Sequence, residues 1–241
     1  MAGAGTLERM EWPTGDTRNL AAYLLVNRGI AVPRERLLGD VWPGVEAWEA
    51  NIRLQVALYR IRQAMGAGYP PVDPEMEAQG AYRWEGTGCP IDAEEFRKKL
   101  ELARQRLGSQ HGALLPDDVL SLMESAAGLY RGEFLDGFPF EWCVLQREDL
   151  RAQLLWTTRL LIDHHMALRN WRSAIAYGLQ SLRSDPLQED VVRDLMLCYF
   201  RIGDRSSVLQ QYSEVKRLLA KLRGVWPSED TRNLRVKLLG R

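Results

Sequence analysis

From Ile91 almost to the C-terminus, apolar residues recur at helical spacing. The pattern is interrupted only at Asn170, Asp185-Pro186, Gly203-Asp204 and Trp226-Pro227. The breaks are themselves periodic. Asn170-Trp171-Arg172-Ser173-Ala174-Ile175 aligns with Asp204-Arg205-Ser206-Ser207-Val208-Leu209 at an offset of 34 residues, while Pro186 to Pro227 is offset by 41. A helix pair of about that length buries its apolar face only by stacking on neighbours. The C-terminal part of the chain is therefore confined to stacked helices.

The expected helices begin at Pro90-Ile91-Asp92 and at Pro116-Asp117-Asp118. They continue over 141–168, 171–183, 187–202, 205–222 and 228–239. Residues 131–140, with Tyr130 before them and Glu141-Trp142 after, form an aromatic loop. It reads as a hydrophobic plug between helices, with a binding patch as the alternative. The 34-residue offset is the length of a tetratricopeptide repeat.

The first ninety residues have a different organisation. Helices are predicted over 17–28, over 33–42 with Pro33 in the first turn, and over 47–65, ended by Gly29, Pro43-Gly44 and Gly66. Residues 67–90 carry prolines, glycines and the alternating run Ala81-Tyr82-Arg83-Trp84, which predicts a β-hairpin with Gly80 at a turn or bulge. Three helices followed by a hairpin is the order of a winged helix-turn-helix. The fold class expected is mainly α, a winged helix-turn-helix over 1–90 followed by a tetratricopeptide-like helical domain over 91–241.

In the third helix Leu54, Ala57, Leu58, Ile61 and Met65 share one narrow arc at about 100° per residue and form the core face. Arg53, Gln55, Tyr59 and Arg60 lie around the rest, and Arg62 borders the core. A helix that follows a tight helical corner and turns arginines and amides outward is what enters a DNA major groove. Arginine grips guanine O6 and N7, and glutamine pairs with adenine. Ile52 and Val56, left exposed, could touch thymine methyls or be covered by another part of the protein. Arg34 and Arg36, at the start of the second helix, are placed for phosphates. An amphipathic helix with a solvated face fits the same spacing, as does a solvated helix start for the two arginines.

Charge opposes a general polyanion binder. The chain carries 32 basic and 32 acidic residues, and residues 1–90 hold nine arginines, no lysine and eleven acids, a net charge of −2. Asp73, Glu75, Glu77 and Glu85 lie in or beside the expected hairpin, with Arg83 opposing them, whereas a wing entering a minor groove wants Arg or Lys.

Other functions find little support. There is no signal-like N-terminus and no apolar run of membrane-spanning length. Cys89, Cys143 and Cys198 are far apart and unpaired by motif, which fits reduced thiols in a cytoplasmic protein. His164 and His165 are adjacent on a helix and point about 100° apart, so they do not form an i, i+4 metal pair; they and His111 read as packing or surface residues. Glu94-Glu95 and Asp117-Asp118 fall in first helical turns, where they favour the dipole. No phosphate loop, GxSxG or HExxH is present. No catalytic site, metal or cofactor is expected, and the chain does not read as an enzyme.

The chain resembles the bacterial transcriptional activators related to the Streptomyces antibiotic regulatory proteins, whose unit is an OmpR-type winged helix followed by a bacterial transcriptional activator domain. MEWPTGDTRNLAAYLLVNRGIAVPRERLLGDVWPG is similar to the first two helices, LQVALYRIRQAMG to the recognition helix, and GAYRW to the last wing strand. YRGEFLDGF, EWCVLQREDLR, DPLQEDVVRDLMLCYFRIGDR and PSEDTRNL are similar to the activator domain. Two features depart from the family. About ten residues precede Glu11 where the family has a four-stranded sheet, so the sheet is expected to be reduced or missing and the chain to be a fragment of a longer regulator. The reading helix is also less basic than the family's. The resemblance implies an activator that binds double-stranded DNA as a homodimer and contacts RNA polymerase, with no membrane. It implies DNA contacts at Arg53, Gln55, Tyr59, Arg60 and Arg62. The competing expectation is a protein-interaction or ligand-sensing module whose winged helix no longer binds DNA.

Overall fold

The computed structural model describes residues 15–65, 74–84, 91–108 and 112–240, with the side chains of Pro74 and Glu75 left aside. Cys89, His111, Asp73 and Glu85 lie outside the described residues. Two compact units emerge. One comprises residues 1–90 and Gly137–Leu145; the other comprises Ile91–Asp136 and Gln146–Arg241. A division at residue 90 alone leaves out the return of the chain to the first unit over 137–145.

The first unit opens with α1 (Gly15–Val26), β1 (Val32–Pro33), α2 (Arg34–Val41) and α3 (Ala47–Met65). Leu20, Tyr23 and Leu24 of α1, Leu37 of α2, and Leu54, Leu58 and Ile61 of α3 meet in one buried core. Burial of each such side chain stabilises by about 1.5–3 kcal/mol. Met65 packs against this core from the edge. Pro33 is extended, with φ −60° and ψ 145°, and stands at the N-cap of α2, which begins one residue after the expected helix start. After α2, Trp42 donates its N–H to Leu38 O at 2.9 Å and its Nε1–H to Asp16 Oδ1 at 3.0 Å. Gly44 then takes φ +76°, which lets the chain turn sharply into α3.

Of the hairpin expected over 67–90, residues 74–84 are described, and the rest of that reading lies outside the described residues. A short helix, α4 (Pro74–Ala78), and a turn at Gly80 (φ +77°) lead into β2 (Ala81–Tyr82). Among the described residues, the partner of β2 is not a neighbour in sequence. The strand pairs antiparallel with β1, Val32 opposite Tyr82 and Pro33 opposite Ala81. Alternation of side chains revealed a strand; it could not reveal a partner some fifty residues away. Among the described residues this two-stranded sheet is all that stands where a wing was expected.

The regular elements of the second unit's described residues are helices. α5 (Asp92–Leu107) packs on α6 (Asp117–Leu129), and α7 (Glu141–Ala167) supplies Leu150, Leu154 and Leu161 to the cores beside them. α8 (Trp171–Ser184), α9 (Glu189–Arg201), α10 (Arg205–Arg223) and α11 (Glu229–Leu239) follow. α9 is buried on two sides. Val191, Leu195 and Cys198 face the α8 cluster, and Val192 and Met196 face α10 and α11. Asn170 and Asp204, 34 residues apart, stand at the N-caps of α8 and α10.

The aromatic loop divides its side chains between the units. Phe134 and Tyr130 pack on Phe96 and its neighbours in the second unit, and Arg147 holds the loop by donating to Phe134 O and Leu135 O, both at 2.8 Å. Phe138, Phe140 and Trp142 belong to the first unit. Trp142 stacks on Phe140 at 5.8 Å and meets Tyr23 edge-on at 5.1 Å.

Candidate nucleic-acid interface

α3 keeps Ala50, Leu54, Ala57, Leu58 and Ile61 on its buried side. The opposite arc is apolar and open to solvent. Trp48 is 67%, Ile52 56%, Val56 43% and Tyr59 62% exposed. These four positions follow spacings of four, four and three residues, so they form one stripe along about 16 Å of helix. Gln55 and Gln63 are exposed beside it.

Sequence reasoning included Ile52, Val56 and Tyr59 in this arc but missed Trp48. The spacing 48, 52, 56, 59 was the available signal.

The arginines lie on the flanks of this stripe, and carboxylates meet most of them. Arg53 Nη2 donates to Glu49 Oε1 at 2.6 Å, and its Nη1 is 3.9 Å from Asp16 Oδ2. Its hydrogen bond to Glu49 raises the guanidinium pKa above the usual value. Arg60 is half-buried on the same flank. On the other flank Arg62 is ion-paired with Glu77 of α4. The acidic stretch read from sequence as a poor wing thus supplies the partner of a predicted DNA contact. Glu77 comes from a segment whose placement local patterning did not disclose.

The two α2 arginines differ. Arg34 donates Nε and Nη2 to the buried Tyr82 hydroxyl at 3.3 and 3.1 Å, and its backbone N–H bonds Gly80 O at 2.9 Å. It is tied to β2. Arg36 is exposed and lies 3.5 Å from Asp40, which also accepts the Tyr23 hydroxyl at 2.6 Å. That bond and burial push the Tyr23 hydroxyl well above its usual pKa, burial contributing most.

The structure therefore gathers Gln55 and Tyr59 on the outward arc and puts Arg53, Arg60 and Arg62 at its margins. It leaves Arg34 and Arg36 on a separate helix. Exposed ion pairs of this kind contribute little to stability and can be exchanged for other anions.

Other titratable groups among the described residues are held in packing contacts. His164 Nδ1 accepts the Leu115 N–H at 3.0 Å. His165 lies 3.2 Å from Glu124 and stacks on Tyr177. Burial pushes the Cys198 thiol up to about 11, so it is an inert buried thiol. Among the described residues, no group of three or more His, Cys, Asp or Glu side chains is placed to hold a metal ion, and no helix is long and apolar enough to cross a membrane.

Comparison with known proteins bears on this arrangement. The family model described as the bacterial transcriptional activator domain matches residues 91–239. The regulatory protein AfsR of Streptomyces griseus is 24% identical over 225 residues, which cover 92% of this chain and 22% of that protein. AfsR of Streptomyces coelicolor is 26% identical over 243 residues, covering 95% and 23%. The chain thus spans less than a quarter of the length of these relatives. Among solved structures, Mycobacterium tuberculosis EmbR in complex with a low-affinity phosphopeptide has the same fold over 94% of this chain and 59% of its own. The TM-score is 0.60 and the identity 20%.

Proposed function

The chain belongs to the bacterial transcriptional activator domain family through residues 91–239, and from that premise we propose that it is a transcription regulator whose α3 reads promoter DNA. The observation that carries this reading is the α2–turn–α3 corner. It buries one side of α3 completely and turns Trp48, Ile52, Gln55, Tyr59 and Gln63 outward between arginine-bearing flanks. We take residues 1–90 as an OmpR-type winged helix. Arg53, Gln55, Tyr59, Arg60 and Arg62 are its contacts in the major groove, with Arg34 and Arg36 toward phosphates. Residues 91–241, as tetratricopeptide-like helix pairs, would carry the homodimer and RNA polymerase contacts of an activator.

The test is a binding titration of the full chain against promoter fragments across a salt series. Binding is expected to weaken as salt rises. Arg60→Ala and Arg53→Ala should each lower affinity about tenfold without changing the melting temperature. No duplex binding at low salt, or no effect of either change, overturns the reading.

A second reading has its own support. The carboxylate partners of Arg53 and Arg62, and a cavity of about 760 Å³ in the second unit lined by Arg104, Leu107, Leu115, Trp156, Asp163 and Met166, suit a ligand- or protein-sensing module. Saturable small-molecule or protein binding without any salt-dependent DNA binding favours it.

A further inference from the structure

We infer that α3 discriminates DNA by apolar contact with thymine C5-methyl groups rather than chiefly by arginine hydrogen bonds. This rests on the reading of α3 as the DNA-contacting helix and specifies what that helix recognises.

The outward arc is apolar at its centre. Ile52 and Val56 stand there, with Trp48 and Tyr59 at the same exposed face. The groups that would read guanine are at the margins and engaged, Arg53 with Glu49 and Asp16, Arg62 with Glu77. A helix seated in a groove presents its outward arc to the base edges and its flanks to the two phosphate rows. The central residues therefore set which bases fit, and the arginines hold the backbone.

Charge complementarity favours duplex DNA over a protein partner. Residues 1–90 have net charge −2, yet α3 itself carries Arg53, Arg60 and Arg62 against Glu49 alone. Cationic side chains on both margins of an apolar ridge match a groove floor of bases walled by two rows of phosphate.

In the major groove only thymine offers a methyl group. Ile52 and Val56 are about 6 Å apart along the helix axis, close to two base steps of about 3.4 Å. The two side chains thus suit thymines about two steps apart. Gln55, beside the apolar pair, and Gln63, about two turns beyond Val56, are exposed and suit the N6 and N7 of adenine, so the whole arc favours A·T pairs.

The experiment selects bound duplexes from a random pool with the full chain, then replaces each thymine of the selected site by deoxyuridine, which removes only the methyl group. Affinity should fall about fourfold at each contacted thymine, the equivalent of one buried methyl group. Ile52→Ala or Val56→Ala should abolish the difference between thymine and deoxyuridine at its own position. Both residues are exposed, so an unchanged melting temperature shows that the fold is intact. Equal affinity for thymine and deoxyuridine duplexes, in a chain that still binds its selected site, overturns this inference and leaves the DNA reading standing. Failure to bind any duplex at low salt overturns both.

Discussion

His164 is buried, and its Nδ1 accepts the Leu115 N–H that would otherwise lack a partner at the start of α6. Burial lowers its pKa below the usual value, with His165 beside it adding to the effect. The folded state thus holds His164 neutral while the unfolded chain protonates it near pH 6.5. Its contribution is present above that pH and is lost as pH falls through it. Denaturant unfolding at pH 7.5 and 5.5 should show lower stability at the acid value. His164→Ala should cost about 1–3 kcal/mol at pH 7.5 by leaving the Leu115 N–H unpaired, and its pH dependence should be shallower. The adjacency of His164 and His165 in sequence says that their rings point about 100° apart on a helix. It could not say that both rings are buried, because that depends on which helices close over them.

Among the elements, α9 packs closely on α8. A Cβ built on Gly178 of α8 would lie 2.8 Å from Leu195 Cδ2. Glycine is present there for close approach, against a helical cost of about 1 kcal/mol relative to alanine. Gly178→Ala should be destabilising by about 1 kcal/mol net, since overpacking costs about 1–3 kcal/mol. Combined with Leu195→Ala it should cost less than the two changes added, as a double-mutant cycle by thermal unfolding would measure. α9 also fixes the last helix. Glu189 Oε2 accepts from Ser228 N at 2.8 Å, Ser228 Oγ at 2.7 Å and Thr231 Oγ1 at 2.6 Å, and these bonds hold its carboxyl below the usual range despite partial burial. The helices themselves were legible from period and breaks. These cross-contacts were not, since Glu189 and Thr231 are distant in sequence and neither belongs to a recognisable motif.

For the whole molecule, the return of residues 137–145 to the first unit matters most. Trp142 stacks on Phe140 and meets Tyr23 edge-on, Arg18 lies over the Phe138 ring at 4.6 Å, and the buried Trp142 Nε1 has no hydrogen-bond partner among the described residues. The ring surface therefore stabilises the first unit while its N–H detracts. Trp142→Phe should be tolerated in equilibrium unfolding followed by circular dichroism, whereas Trp142→Ala should cost about 3 kcal/mol. A comparable loss in both variants would show that the indole N–H has a partner.

Periodicity and breaks in the chain by themselves determined the helices, the core side of α3 and the stacked architecture after Ile91, because amphipathic spacing and helix ends are local properties of a sequence. Tertiary structure alone decided three things. It paired β2 with β1, brought Glu77 to Arg62, and joined Trp142 to Tyr23. Each joins residues separated by at least fifteen positions, and such partners are selected by the packing of whole elements. The arginines that drew attention to α3 in sequence thus became its flanks, and an apolar ridge became the centre of its outward face.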